Sequence, residues 1–184
     1  DIQIDAGQTY KAYWFYPAQG THVTLTGSGK LDNYNWTFID ETSSMTVDGP
    51  TVTIANTVNN GENTLKGEIR VKSGYLQQTK GSTFILSGNA RVIVEGGLFG
   101  STRTDYQLTI TNDAEVIITG GEMTMGAVLL RGNDDGVSGG TIRLVGGTYS
   151  VNYSYSYVNK NDPGSTFDFK GGTIRWSPGD SQYT

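Results

Sequence analysis

The chain of 184 residues contains no cysteine, one histidine and four prolines. The absence of cysteine excludes disulfide bonds, thiolate metal sites and a cysteine nucleophile. No apolar run approaches the roughly 18 residues that a membrane-spanning helix needs, so the sequence does not predict a membrane-spanning protein. Lysine and arginine are scattered among the acidic residues, and the net charge is −5. Without a basic stripe, we do not expect nucleic acid as a partner.

A helical period of apolar residues is also missing from the sequence. Short runs that alternate between apolar and other residues are frequent instead, and the chain contains 26 glycines. One pattern recurs along most of the chain, in which two apolar residues, separated by a single residue, precede one or two glycines. The second apolar residues of successive copies are spaced by 22 to 26 residues, and they are Leu25, Val47, Val71, Val94, Ile118, Leu144 and Phe169.

This spacing predicts an all-β fold, a right-handed parallel β-helix of about seven coils with three short strands per coil. Coils stacked about 4.8 Å apart bring equivalent positions together, so the recurring apolar residues would form one interior column. We predict a single domain, with an aromatic N-terminal cap at residues 1–20, the β-helix at residues 21–177 and a C-terminal tail at residues 178–184. An all-β sandwich is the alternative, but it does not account for evenly spaced glycine corners.

Asparagine recurs in the turn after the third strand, at Asn89, Asn112 and Asn133. The coil length, the three-strand pattern and these turns resemble the right-handed parallel β-helix of the pectate-lyase-like superfamily. The Thr- and Gly-rich coils resemble the β-solenoid binding regions of bacterial surface adhesins, such as serine-rich repeat proteins. The second resemblance implies an extracellular location on a bacterial cell surface. Because the chain begins at Asp1 without an initiator methionine, we expect it to be a segment of a longer protein.

The resemblance to the superfamily also raises the alternative of a polysaccharide lyase or hydrolase. Pectate lyases of this fold hold calcium with clustered acidic residues on an outer strand face, and pectin hydrolases carry Asn-Thr-Asp, Asp-Asp and Gly-His-Gly motifs. His22 is not in a Gly-His-Gly motif, and the one Asp-Asp pair, Asp134-Asp135, follows Asn133 in a predicted turn. We therefore assign no catalytic residue. Asp134 and Asp135 are weak candidates for calcium ligands, with a polar turn as the simpler interpretation, and no other cofactor is expected.

The candidate ligand site lies towards the C-terminal end of the chain. Aromatic faces pack on the C–H surfaces of sugars while a polar rim binds hydroxyls or carboxylates, so clustered tyrosines predict a glycan or polysaccharide ligand. Some of these aromatic residues have the parity of inward positions, and the competing interpretation places them in the core. The predicted ligand-binding residues are Tyr149, Tyr153, Tyr155, Tyr157 and Trp176, with Arg143, Lys160 and Lys170 beside them.

Two further features are predicted on the outer surface. Ile93, Ile117 and Val145 would form an exposed apolar strip, which either contacts a neighbouring domain or a second copy or lies under a loop at residues 101–106. The residues beside the glycines would stack as a column of alternating charge, Asp48–Lys72–Glu95.

From these features we expect a non-catalytic extracellular adhesin or carbohydrate-binding module. A structural stalk or spacer of an adhesin or phage fibre is the first alternative, and the lyase or hydrolase is the second.

Overall fold

The structure, a computed structural model, describes residues 1–37, 39–55, 64–80, 83–101, 107–132, 139–151, 158–159 and 164–176. These residues form nineteen β-strands, and no helical segment among them has the length and hydrophobicity that a membrane crossing needs. In chain order the strands are β1 (Ile2–Ile4), β2 (Thr9–Phe15), β3 (His22–Gly27), β4 (Lys30–Thr37), β5 (Ser44–Ala55), β6 (Thr64–Leu65), β7 (Glu68–Lys80), β8 (Thr83–Leu86), β9 (Arg91–Val94), β10 (Leu98–Gly100), β11 (Gln107–Thr111), β12 (Glu115–Ile118), β13 (Glu122–Met125), β14 (Ala127–Arg131), β15 (Thr141–Leu144), β16 (Thr148–Val151), β17 (Val158–Asn159), β18 (Thr166–Phe169) and β19 (Thr173–Trp176).

The described strands pair only in parallel and stack in three columns, which makes the fold a parallel β-solenoid. The first stack contains β1, β3, β9, β12, β15 and β18, and the second contains β2, β4, β10, β13, β16 and β19. The long strands β5 and β7 run through the corner between these two stacks and join them into one sheet. The third stack is the five-stranded sheet β17-β14-β11-β8-β6.

The predicted all-β solenoid is therefore confirmed, and the sandwich alternative is wrong. Within the described ranges, five turns carry all three strands instead of the predicted seven or so. The right-handed sense of the coil remains a prediction from the rule for parallel crossover connections.

The interior column predicted from the glycine-linked pattern is present in the structure. Its members pair in register from Leu25 through to Phe169, one from each successive layer. All are fully buried except Phe169, which lies on the last described strand of the stack and is 54% exposed. Each fully buried aliphatic side chain contributes roughly 1.5–3 kcal/mol, so this column is a main source of stability.

Tight corners depend on residues that accept a left-handed backbone. Gly121 has φ +64, and a Cβ there would lie 2.5 Å from the carbonyl oxygen of Gly97 in the preceding layer. Asn112 adopts φ 58, as predicted for an asparagine corner, and its amide donates a 3.0 Å hydrogen bond to the Ser87 hydroxyl of the layer before. The corners thus fix where one layer sits on the next.

The N-terminal segment predicted as a cap is itself a layer of the solenoid. Strand β1 pairs in parallel with β3, and β2 pairs in parallel with β4. Ile4 is fully buried, while Ala12 and Phe15 pack against the core from one side. The first layer therefore covers the end of the core with one face of its strands and leaves its other side chains outside.

Candidate functional site

Tyr149 is a core residue rather than a ligand-binding residue. Its side chain is 3% exposed, and its ring centroid lies 6.1 Å from that of Phe167. Its strand position pairs with Met123 on one side and Ile174 on the other, both on the inward parity. Burial raises the pKa of the Tyr149 hydroxyl. An enclosed ring has no face to offer a sugar, so the assignment of Tyr149 to the ligand site is wrong.

Several other predicted site residues lie outside the described residues, and their assignments stay predictions. Trp176 of the predicted ligand site is described only in its backbone, which pairs with that of Val151. Within the described ranges, no group of three or more His, Asp or Glu side chains could hold a metal ion. The residues outside them are Tyr153, Tyr155, Tyr157 and Lys160 of the ligand site and Asp134 and Asp135 of the calcium site.

Arg143 and Lys170, the two described cations of the predicted rim, are already bound to acidic side chains. Arg143 Nη1 lies 2.9 Å from Glu115 Oε1, and Arg143 Nε lies 3.2 Å from Asp168 Oδ2. Lys170 Nζ lies 3.3 Å from the same Asp168 oxygen. These contacts belong to a longer series of ion pairs on the outer face of the first stack, here called the charge ladder. Its members, in order of contact, are Glu95, Arg70, Glu68, Arg91, Glu115, Arg143, Asp168 and Lys170.

The charge ladder replaces the predicted column Asp48–Lys72–Glu95. A register shift after Val47 places Asp48 beside Ser73, whose hydroxyl donates a 2.8 Å hydrogen bond to Asp48 Oδ1. Glu95 pairs instead with Arg70. Partial burial acts to lower the pKa of Arg70, but hydrogen bonds to Glu68 and Glu95 outweigh it and raise that pKa. The predicted column is wrong because a β-bulge moves the residues after it by one place.

Ile93 and Ile117 stack on the outer face as predicted, but they do not form an exposed strip. They are 7% and 9% exposed, whereas Val145 is exposed. Their strand positions lie between those of Arg70 and Arg143, both members of the charge ladder. Long charged side chains bury apolar neighbours beneath their aliphatic stems, which accounts for the low exposure. A partner contact at Val145 stays a prediction.

The largest exposed aromatic surface in the described part of the chain lies at the opposite end, on β2 and the residue that follows it. Trp14 is 63% exposed, and Tyr10, Tyr13 and Tyr16 are each at least half exposed. The ring centroids of Tyr13 and Trp14 are 5.8 Å apart, with their planes tilted by 47°. The pairing of β2 with β4 shifts register between Ala12 and Trp14, so that two consecutive aromatic side chains lie outside. We call the four exposed residues the aromatic strand.

From the sequence these residues were interpreted as a cap in preference to a site, and their exposure was not predicted. The available signal was the order of residues, since Tyr13, Trp14, Phe15 and Tyr16 follow one another without alternation. A strand has two faces, and four consecutive aromatic side chains cannot all enter one core. Some of them therefore had to be exposed.

A concave surface, here called the corner groove, runs across three turns that precede the first stack. It encloses about 330 Å³ and is lined by His22, by residues 41–44 and 66–68, and by Asn89 and Arg91. Its wall is ordered, because Asp40 Oδ1 accepts hydrogen bonds from the Thr42 amide at 2.8 Å and the Ser43 hydroxyl at 3.0 Å.

Hydrogen bonds also set the charge of that wall. The hydrogen bond from the Thr42 hydroxyl lowers the pKa of Asp40, burial opposes this effect, and further hydrogen bonds from Thr42 and Ser43 leave the pKa lowered. On the other side of the groove, His22 Nδ1 lies 2.8 Å from Ser44 Oγ. The corner groove is therefore a polar cleft with fixed hydroxyl groups.

Comparison with protein-family models, with curated proteins and with solved structures found no match. The chemistry of the surface must therefore be argued from its own geometry. The described residues offer an exposed aromatic surface at one end and a polar cleft beside it, and both are suited to binding.

Proposed function

We propose that this chain is a non-catalytic carbohydrate-binding module or adhesin, which holds a polysaccharide or host glycan on the aromatic strand. The observation that carries the proposal is the exposure of Tyr10, Tyr13 and Trp14 on one strand of the solenoid and of Tyr16 directly after it. Aromatic rings supply flat apolar faces that pack on the C–H surfaces of pyranose rings. A contiguous patch of exposed aromatic side chains is typical of an interaction site.

The solenoid supplies preorganisation. Strand β2 pairs with β4 on both sides of the register shift, with Tyr10 opposite Leu31 and Trp14 opposite Trp36. A backbone that is already paired needs no further ordering when a sugar binds, so more of the contact energy appears as affinity. A single site of this size would bind weakly, and many copies on one surface would raise the overall affinity. We propose that these copies act outside the cell, on a bacterial surface.

Affinity electrophoresis in gels containing different polysaccharides, together with a glycan array, tests the proposal. Replacement of Trp14 by alanine is expected to weaken binding about thirtyfold, which corresponds to the loss of a 2 kcal/mol contact. Tyr13→Ala should have a smaller effect in the same direction. Phe169→Ala is the matched control, because this aromatic side chain is also more than half exposed but lies at the other end of the solenoid.

Equal losses in Trp14→Ala and Phe169→Ala would contradict the proposal, since binding would not depend on the aromatic strand. If binding is saturable and neither substitution changes its affinity, the site must lie elsewhere on the chain. If the wild-type protein binds no polysaccharide in either assay, the proposed function is rejected.

A structural spacer is the second candidate, and the charge ladder favours it. The ladder links β7, β9, β12, β15 and β18 by ion pairs along the solenoid axis. Axial ties of this kind stiffen a rod whether or not it binds anything. A spacer would show no saturable glycan binding, so the electrophoresis above separates the two candidates.

A further inference from the structure

The corner groove contains as many acidic as basic side chains. Glu41 and Glu68 line it together with Lys66 and Arg91. Glu68 Oε1 already lies 3.1 Å from Arg70 Nη2. A charged ligand in the groove would therefore lie near side chains of its own charge as well as near side chains of the opposite charge. A ligand whose groups both donate and accept hydrogen bonds suits this lining better.

The neighbouring face has no excess charge either. The charge ladder consists of four acidic and four basic residues in mutual contact. Arg91, the groove cation that belongs to the ladder, lies 3.5 Å from Glu115 and 3.9 Å from Glu68. An anionic polymer would have to displace these internal partners before it could bind there.

Hydrogen bonds tie the corner groove to the segment that follows the aromatic strand in the chain. The Gly20 amide donates to Thr42 Oγ1 at 3.0 Å, and the Ser43 hydroxyl donates to the Ala18 carbonyl at 3.1 Å. Gly20 follows Tyr16 by four residues, a distance of at most about 14 Å along an extended chain. One saccharide chain could therefore reach from the aromatic rings to the groove.

From these observations we propose that the corner groove is a second subsite, which binds neutral sugar units of the saccharide held by the aromatic strand. This inference rests on the proposed function and adds the ligand class to it. Sugar hydroxyls would receive hydrogen bonds from Lys66 and donate hydrogen bonds to Glu41. The Thr42 hydroxyl donates its proton to Asp40 Oδ1 at 2.7 Å, so towards a sugar it would act as an acceptor. The rings supply stacking, and the groove selects against uronic and sulfated sugars.

NMR titration tests the proposal, because His22 is the one histidine of the chain and its ring signals report on the groove alone. The probes are maltohexaose, cellohexaose, xylohexaose and mannohexaose as neutral chains, and hexagalacturonate as the acidic chain. At least one neutral hexasaccharide is expected to shift the His22 signals saturably, and hexagalacturonate is not. The indole N–H signal of Trp14, assigned from Trp14→Phe, reports on the aromatic strand in the same titration.

Matched lysine variants separate the groove from the remaining surface. Lys66→Ala is expected to weaken the neutral hexasaccharide at least fivefold as measured at His22. Lys72→Ala is expected to leave it unchanged, since Lys72 is equally an exposed lysine but does not line the groove. Both side chains are at the surface, where substitution has little effect on folding.

The outcomes distinguish this inference from the proposed function. A Trp14 signal that shifts while His22 stays still would overturn the groove subsite and leave the aromatic strand as the site. A His22 response to hexagalacturonate alone would overturn the neutral class. No response at either residue to any of the five probes would reject both proposals.

Discussion

Tyr149 and Trp14 are both large aromatic residues on strands of the second stack, but their surroundings are opposite. Tyr149 lies on β16 with a paired strand on each side, and its ring is enclosed. Trp14 lies on β2, which pairs with β4 alone among the described strands, and its ring is exposed. The same residue class therefore supports the fold in an inner layer and forms a surface in the first layer.

The difference shows how a repetitive fold separates stability from binding. In the inner layers every inward position is stacked between two neighbours, and an aromatic side chain there is committed to packing. In the first layer a register shift between Ala12 and Trp14 frees consecutive rings from the core. The aromatic strand is thus the place where substitution should change binding with little change in stability.

The largest expected effect is on the stability of the inner layer. Tyr149→Ala removes an enclosed ring and should lower the free energy of unfolding by about 3–5 kcal/mol. Trp14→Ala should lower it by less than about 1 kcal/mol, because most of the ring is already in water. Urea denaturation followed by circular dichroism measures both values. If the two variants lose similar free energies of unfolding, the proposed difference between the inner layer and the first layer is wrong.

The charge ladder provides a prediction of intermediate size. Glu115 contacts both Arg91 and Arg143, and its side chain is mostly buried. Glu115→Gln should lower the free energy of unfolding by about 1 kcal/mol at low ionic strength, and less in about 1 M salt, because salt screens ion pairs near the surface.

Lys30→Gln is the matched control for the ladder. It breaks a pair with Asp32, in which the atoms are 3.6 Å apart at the surface, and should change stability by no more than about 0.5 kcal/mol. If the two variants had the same effect, the ladder would be no more than a set of separate surface contacts.

The smallest expected effect concerns the wall of the corner groove. The folded pKa of Asp40 is lowered, so its contribution is present above the unfolded pKa and is lost as the pH falls through the folded value. The stability difference between the wild-type protein and Asp40→Asn should therefore be larger at pH 6 than at pH 2. Thermal denaturation across that range measures it. A difference that grows as the pH falls would show that the carboxylate does not hold the turn.

The interior column could be predicted from the sequence because it depends on a local rule. Two apolar residues before a glycine corner mark the same place in each coil, from Leu25 to Phe169, and the structure pairs them in register. The asparagine corner at Asn112 was predictable for the same reason. Alternation and corner residues are properties of short segments, which a single sequence displays directly.

Features that depend on the neighbouring layers could not be predicted in the same way. The bulge after Val47 shifted the charge pairing, and Gly49 and Pro50 beside it mark an irregular strand without specifying the shift by one residue. The burial of Ile93 and Ile117 depends on arginines one layer away. The exposure of the aromatic strand was not predictable either, because the register shift between Ala12 and Trp14 depends on the pairing of β2 with β4. The alternation of apolar and polar residues indicated which face of a strand a side chain is on, but not which residues cover that face.

Hydrogen–deuterium exchange with and without a saturating neutral polysaccharide tests the division between the first and inner layers most directly. The expected result is slower exchange in peptides covering residues 9–20 and 41–44, with no change across residues 107–118. Slower exchange confined to the inner layers or to residues 149–176 would contradict it, because binding would then occur on the part of the solenoid assigned to stability.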